Sequence, residues 1–201
     1  MGQIVKFLAA RARRYQTDED GASTIPFIIM APFFIVLTLS SIELGMLMMR
    51  HVMLERGLDM AVRDLRLGLW IPASDDGMSD TQRALLHQKL REQICKNAAM
   101  IPDCDKVLSV ELRPVSKTTW APLAGGATCV DRSADALPVT EFKVGTSNDI
   151  MLIRACAIFT PVFPTAGLGA SLRVADPNDH DDWAYALVST TAFVNEPRPG
   201  T

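Results

Sequence analysis

The feature that most constrains this chain is an apolar stretch at residues 25–49, in which only Glu43 carries a charge. Its 25 residues exceed the roughly 7–15 apolar residues of a secretory signal peptide. They also meet the requirement of about 20 residues for a helix that crosses a bilayer. The sequence therefore predicts a single membrane-spanning helix, with the remaining domain on one side of it.

The charges that flank this stretch leave its orientation open. Residues 1–24 form a leader that is basic before Asp18, with Lys6, Arg11, Arg13 and Arg14. By the positive-inside rule this leader is expected in the cytoplasm. The same number of basic residues follows the stretch, however, as arginines at positions 50, 56, 63 and 66.

The cysteines favour one orientation. Cys95, Cys104, Cys129 and Cys156 all follow the apolar stretch, and no two of them form a CxxC pair, which disfavours zinc or thioredoxin-type chemistry. An even number of cysteines suggests two disulfides in an oxidising compartment. Of the three possible pairings, Cys95–Cys104 and Cys129–Cys156 close the shortest loops at the least entropic cost, although the sequence alone does not decide. We therefore expect a cytoplasmic N-terminus, with the domain at residues 71–201 on the other side of the membrane.

Three positions inside the apolar stretch are candidates for contact with another helix. Ser41 and Gly45 form a small-xxx-small pair that permits close helix approach, although such pairs also occur incidentally. Glu43 is expected either at the far membrane interface or in a polar contact with a neighbouring subunit's helix. Pro32 removes an interior backbone hydrogen bond, so it predicts a kink or a shifted helix start.

The helix is predicted to continue beyond the membrane. Apolar residues recur at spacings of three and four as far as Leu69, with charged residues on the opposite face, so residues 50–70 are expected to be an amphipathic continuation. Ser79 and Gln82 have the spacing of a capping box. A second helix is predicted from there to about Ala98, with His87 on its solvated face.

The rest of the domain has strand patterns. Residues 107–115 alternate as a half-buried strand, residues 150–162 are nearly all apolar and predict a central strand covered on both faces, and residues 183–194 predict a last strand. A short strand is also predicted at 141–144. Together these patterns predict an α+β fold with one long N-terminal helix, a second helix and a small antiparallel sheet of about three or four strands.

Several function classes are disfavoured by the sequence. The net charge of −3 gives no basic surface for nucleic acid. The chain has none of the common catalytic or nucleotide-binding motifs, and its three histidines are scattered. The acidic loop at 176–182 lacks the glycine and the final glutamate of an EF-hand. We expect no enzyme activity, no cofactor and no metal site.

The leader and the apolar stretch together carry a family resemblance. The run Asp18-Glu19-Asp20-Gly21-Ala22-Ser23-Thr24-Ile25, with Phe27 after it, resembles the TadE-like family of the tight-adherence (Flp) pilus system. The run Ser41-Ile42-Glu43-Leu44-Gly45 is similar to that family's segment at the end of the span. The resemblance covers mainly residues 18–66, and it implies a pilin-like fold and a structural role as a pseudopilin or minor pilin.

The resemblance also implies a location in the bacterial inner membrane with a periplasmic domain, together with partners and a processing site. A prepilin peptidase would cleave after Gly21 and leave Ala22 as the new N-terminus, and the chain would then contact the pilus assembly platform and other pilin-like subunits. One residue departs from the family pattern: Pro26 stands where the family usually has glutamate. Either the chain is cleaved and docks differently, or it is not cleaved and remains a membrane-anchored assembly factor.

Two other interpretations of the sequence remain as alternatives. The first is a single-pass membrane protein with a periplasmic binding module, such as a sensor or a secretion accessory. The second is a membrane-tethered enzyme, which the missing motifs disfavour.

Overall fold

A single long helix, α1 (Thr24–Arg66), begins the described part of the chain. The computed structural model describes residues 24–67, 69–70, 78–119, 129, 141–172, 174–175 and 183–196. Helix α1 has 43 residues and contains Pro32 in its interior. The predicted continuation of one helix from the apolar stretch into the domain is confirmed. Its start is not displaced to Pro32, and the kink at Pro32 stays a prediction.

The two halves of α1 have different surroundings. Apolar side chains of the first half are largely exposed, for example Phe27 at 70% and Phe34 at 58%. In the second half the buried residues recur at helical spacing: Leu54, Gly57, Leu58, Ala61, Val62 and Leu65. The predicted amphipathic continuation is confirmed, and α1 is long and apolar enough to cross a membrane.

Helix α2 (Asp80–Asn97) packs against the second half of α1. Its N-terminus has the predicted capping box, in which Ser79 and Gln82 each bond the other's backbone N–H. The helices approach closely at Gly57, where a Cβ atom would lie 2.7 Å from the Ile94 carbonyl oxygen. The apolar face of α2 is therefore fixed against α1.

Four antiparallel strands form the sheet. In chain order they are β1 (Leu108–Val115), β2 (Ile150–Phe159), β3 (Val174–Ala175) and β4 (Trp183–Val194). Their spatial order is β1-β2-β4-β3. The central position predicted for β2 is confirmed; one of its faces is fully buried, and the other is partly covered.

Some short elements were not predicted or are smaller than predicted. The helices α3 (Cys104–Val107) and α4 (Gly167–Ser171) and strand β3 have two to five residues each, too few to show a period. The expected strand at 141–144 is reduced to one isolated bridge between Phe142 and Leu112.

The core lies between the sheet and the two long helices. Alternate side chains of β2 point toward α1 and α2, and these residues are fully buried or nearly so: Met151, Ile153, Ala155, Ala157 and Phe159. A long helix packed by its second half on an antiparallel sheet is a pilin-like α+β arrangement. The predicted fold class is confirmed.

Two disulfides cross-link the domain. Cys95–Cys104 joins the end of α2 to α3, and Cys129–Cys156 attaches residue 129 to the central strand. Both pairings favoured from loop length are present. The acidic loop at 176–182 and the predicted cleavage residues Gly21 and Ala22 lie outside the described residues.

His87 is not the solvated residue that the sequence predicted. Its Nε2 lies 3.1 Å from the Val110 carbonyl oxygen, and its ring centroid lies 4.8 Å from that of Phe142. Burial lowers the pKa of His87; the hydrogen bond to the Val110 carbonyl opposes this effect, and the nearby Arg91 charge adds to the lowering. The prediction was wrong because chain distant in sequence covers this side of α2.

Candidate functional site: the junction of helix and domain

The one charge in the apolar part of α1 is bound by its own chain. Glu43 is only 1% exposed, and its two carboxylate oxygens accept hydrogen bonds from the backbone N–H groups of Val162 at 3.1 Å and Phe163 at 2.8 Å. Hydrogen bonds to a charged group contribute about 1.5–3 kcal/mol each. The sequence suggested an interfacial position for Glu43 or a neighbouring helix as its partner. The structure gives the carboxylate a partner in a loop of its own domain, and the interfacial position stays a prediction.

That loop, residues 160–172, is called the docked loop below. Pro161 and Pro164 stop strand pairing at the end of β2 because proline donates no ladder hydrogen bond. The loop then folds tightly on itself at Gly169, where a Cβ atom would overlap the Phe163 carbonyl oxygen. Gly167 reaches α1 one turn before Glu43, since a Cβ there would lie 3.7 Å from Ser40 Oγ.

A cation and two aromatic rings lie beyond Glu43, on the side of α1 that faces the domain. The Arg50 guanidinium carbon lies 4.5 Å from the centroid of the Phe159 ring, within the range of a cation–π interaction. The Phe159 and Tyr185 rings meet edge to face with centroids 6.0 Å apart. These contacts fix the end of β2 and the start of β4 against α1.

Two polar atoms of this region are buried without a hydrogen-bond partner among the described residues: Arg50 Nε and the Tyr185 hydroxyl. Burial raises the pKa of Tyr185, and the negative charge of Glu43 raises it further. Tyr185 therefore stays neutral at physiological pH. The region holds one carboxylate, one guanidinium and one neutral phenol in a largely apolar setting.

Ser41 and Gly45 lie on a different side of α1 from Glu43. Both are exposed, the Ser41 hydroxyl donates to the Leu37 carbonyl at 2.8 Å, and a Cβ at Gly45 would have nothing within 4 Å. The three predicted helix-contact residues are therefore separated. Glu43 faces the domain, whereas Ser41 and Gly45 face outward.

We call the set of Glu43, Arg50, Phe159, Tyr185 and the docked loop the junction. Sequence reasoning found Glu43 but missed the other members. Two signals pointed to them: a carboxylate in an apolar helix needs donors, and residues 160–172 contain no charge despite lying between strands. The disulfide cysteines belong to the domain and not to the junction.

Fold and junction define a class of protein: an α+β protein of pilin-like layout, with one apolar exposed half-helix and one half-helix fixed to a disulfide-linked domain. Comparison of the chain with models of protein families, with curated proteins and with solved structures finds no match.

Proposed function

We propose that this chain is a single-pass inner-membrane protein that acts in the assembly of a tight-adherence (Flp) pilus, as a TadE-like pseudopilin or minor pilin, and that its role is structural. The observation that carries the proposal is the division of α1. Its first half exposes large apolar side chains along its length, and its second half is fixed to the domain. Exposed apolar surface of this extent indicates a membrane or protein contact.

The outward face of α1 supports contact with other helices. Beyond Glu43, apolar side chains continue to face away from the domain: Leu44 is 42% exposed, Met48 53% and Val52 57%. Gly45 lies among them with open space above it. Small residues within an apolar surface permit close helix packing, which other pilin-like subunits would supply.

The two disulfides support a periplasmic location for the domain, because structural disulfides persist in oxidising compartments. Free thiols can be trapped in intact cells before electrophoresis. We expect the trapped protein to migrate as the oxidised form and to shift only after reduction. A protein that is already reduced in cells would place the domain in the cytoplasm.

Docking in a fibre would differ from the pattern that the family resemblance implies. In pilins a carboxylate near the new N-terminus is thought to pair with a neighbour's ammonium group. Here Pro26 occupies that position, and Glu43 is engaged by Val162 and Phe163. We propose that apolar and small-residue contacts along α1 provide the association.

Co-purification tests this function. The tagged full-length chain, extracted from membranes in mild detergent, should carry with it the pilus assembly platform and other pilin-like subunits. Gly45→Leu should reduce this capture because it fills the outward face, whereas Leu85→Ala, at an exposed position of α2, should not. Recovery of the chain without these partners would favour the alternative of a sensor or secretion accessory.

A further inference from the structure

The docked loop has a position and a composition that the assembly role does not explain. We infer that residues 160–172 lie in the interfacial layer of the bilayer, in the leaflet on the domain's side, and form a lipid-binding surface next to α1. The inference rests on the proposed membrane span. It adds a second membrane contact, made by a loop between β2 and β3.

The length of α1 sets the depth of the loop. Between Asp20 and Glu43 the sequence has 22 uncharged residues, which as a helix would measure about 33 Å at about 1.5 Å per residue. The hydrocarbon core of a bilayer is about 30 Å thick. A helix that spans the hydrocarbon core therefore needs nearly all of these 22 residues, and a tilted helix needs more of them. Glu43 then lies at the edge of the hydrocarbon.

The domain reaches down to that edge. From Thr24 to Thr38 every residue of α1 except Ala31 is exposed, and the next two, Leu39 and Ser40, are partly covered. The helix from Thr24 to Thr38 measures only about 22 Å at about 1.5 Å per residue, less than the bilayer core. The protein surface that covers α1 at Ser40 and Glu43 is the docked loop. That loop must therefore share the depth at which the hydrocarbon ends.

The composition of the loop suits this depth. Thirteen consecutive residues, 160–172, carry no charge. Val162 is 45% exposed and Leu172 44%, so both ends of the loop present apolar side chains outward.

The hydrogen bonds of Glu43 reduce the cost of placing its charge at this depth. A carboxylate at the edge of hydrocarbon is costly unless it is hydrogen-bonded, and both of its oxygens have backbone donors from the loop. The same contact holds the loop down on the membrane side of the domain. These two hydrogen bonds therefore satisfy the charge of Glu43 and also set the depth of the docked loop.

Spin-label accessibility in vesicles tests the inference. Full-length protein with both native disulfides intact would carry one nitroxide label through Val162→Cys or Leu172→Cys, in vesicles of phosphatidylethanolamine and phosphatidylglycerol. Oxygen concentrates in lipid, whereas a neutral nickel chelate stays in water. Phe34→Cys serves as the lipid-exposed reference and Leu85→Cys as the water-exposed one, since these side chains are 58% and 62% exposed.

We expect the oxygen-to-nickel collision ratio at 162 and 172 to be several-fold higher than at 85 and closer to that at 34. Ratios at 162 and 172 equal to that at 85, with 34 still in lipid, would overturn the inference and leave the span standing. Labels at 162 and 172 shielded from both reagents would overturn it in favour of contact with a second copy. A water-exposed label at 34 would refute the span and the inference together.

Discussion

At the scale of single residues, Glu43 determines how helix and domain are joined. A buried carboxylate without partners would destabilise the folded chain by several kcal/mol. Two backbone donors from consecutive residues satisfy it instead. The one charge that interrupts the apolar stretch is therefore a structural contact, made to residues about 120 positions later in the chain.

Removing the charge of Glu43 should release the docked loop. In Glu43→Gln the amide group keeps the size of the side chain but presents a donor to one of the two N–H groups. We expect faster amide hydrogen exchange at Val162 and Phe163, with a loss of about 1.5–3 kcal/mol of local protection from the weakened charged hydrogen bonds. Exchange in the core of β2 should not change.

The matched control is Glu55→Gln on the same helix, because the Glu55 side chain is 52% exposed. Exchange at 162 and 163 should be unaffected there. Unchanged protection in Glu43→Gln would contradict the role assigned to Glu43.

His87 predicts a pH dependence of stability. Burial lowers its pKa in the folded chain, so just below the ordinary value of about 6.5 the unfolded chain binds a proton that the folded chain does not. This contribution to stability is complete above about pH 6.5 and is lost as the pH falls toward the folded pKa. An NMR titration of the His87 imidazole should have its midpoint below that of a histidine model peptide, and His87→Gln should remove this part of the pH dependence. A midpoint at or above the peptide's would contradict the burial.

At the scale of elements, the fold depends on one close helix crossing. Gly57 lets α1 approach α2 so closely that a methyl group there would meet the Ile94 carbonyl and the Ala98 side chain. Gly45, three turns earlier, has open space instead. The two glycines of one helix thus have opposite surroundings.

Alanine substitution should separate these two glycines. Gly57→Ala should lower the free energy of unfolding in detergent by about 1–3 kcal/mol through overpacking. Gly45→Ala should be neutral or raise it by up to about 1 kcal/mol, because alanine has the higher helix propensity. Chemical unfolding followed by circular dichroism measures both. Equal effects of the two substitutions would contradict the packing of α1 on α2.

The sequence predicted this architecture where it carries a long periodic pattern or a long apolar run. A 3.6- or 2-residue period predicted the second half of α1, helix α2 and strand β1, whereas continuous apolar runs predicted the first half of α1 and strand β2, each close to its observed bounds. Loop length favoured the correct disulfides. The docked loop has no period, and the burial of His87 arises from Phe142, 55 positions away. Such long-range contacts leave no local pattern in a single sequence.

At the scale of the whole molecule, α1 links three environments. Its first half is proposed for the bilayer, its middle holds the junction, and its second half forms part of the domain core. Because α1 continues as a helix through all three, no loop separates its apolar half from the domain.

The resemblance to prepilins makes a prediction about the N-terminus. If a prepilin peptidase processes the chain, mass spectrometry of the protein from membranes should give an N-terminal peptide that starts at Ala22. Gly21→Leu should block this processing because a side chain obstructs binding of the extended chain. An intact start at Met1 in the unaltered protein would refute processing and leave a membrane-anchored assembly factor.

The central claim is that the outward face of α1 contacts other pilin-like helices, and site-specific photo-crosslinking in living cells tests it most directly. A photoreactive side chain at Met48, which is 53% exposed, should yield cross-links to pilin-like subunits or to the assembly platform. The same group at Leu85 on α2, which is 62% exposed, should yield none of these. A membrane-inserted protein in which Met48 gives no more cross-links to these partners than Leu85 does would contradict the account.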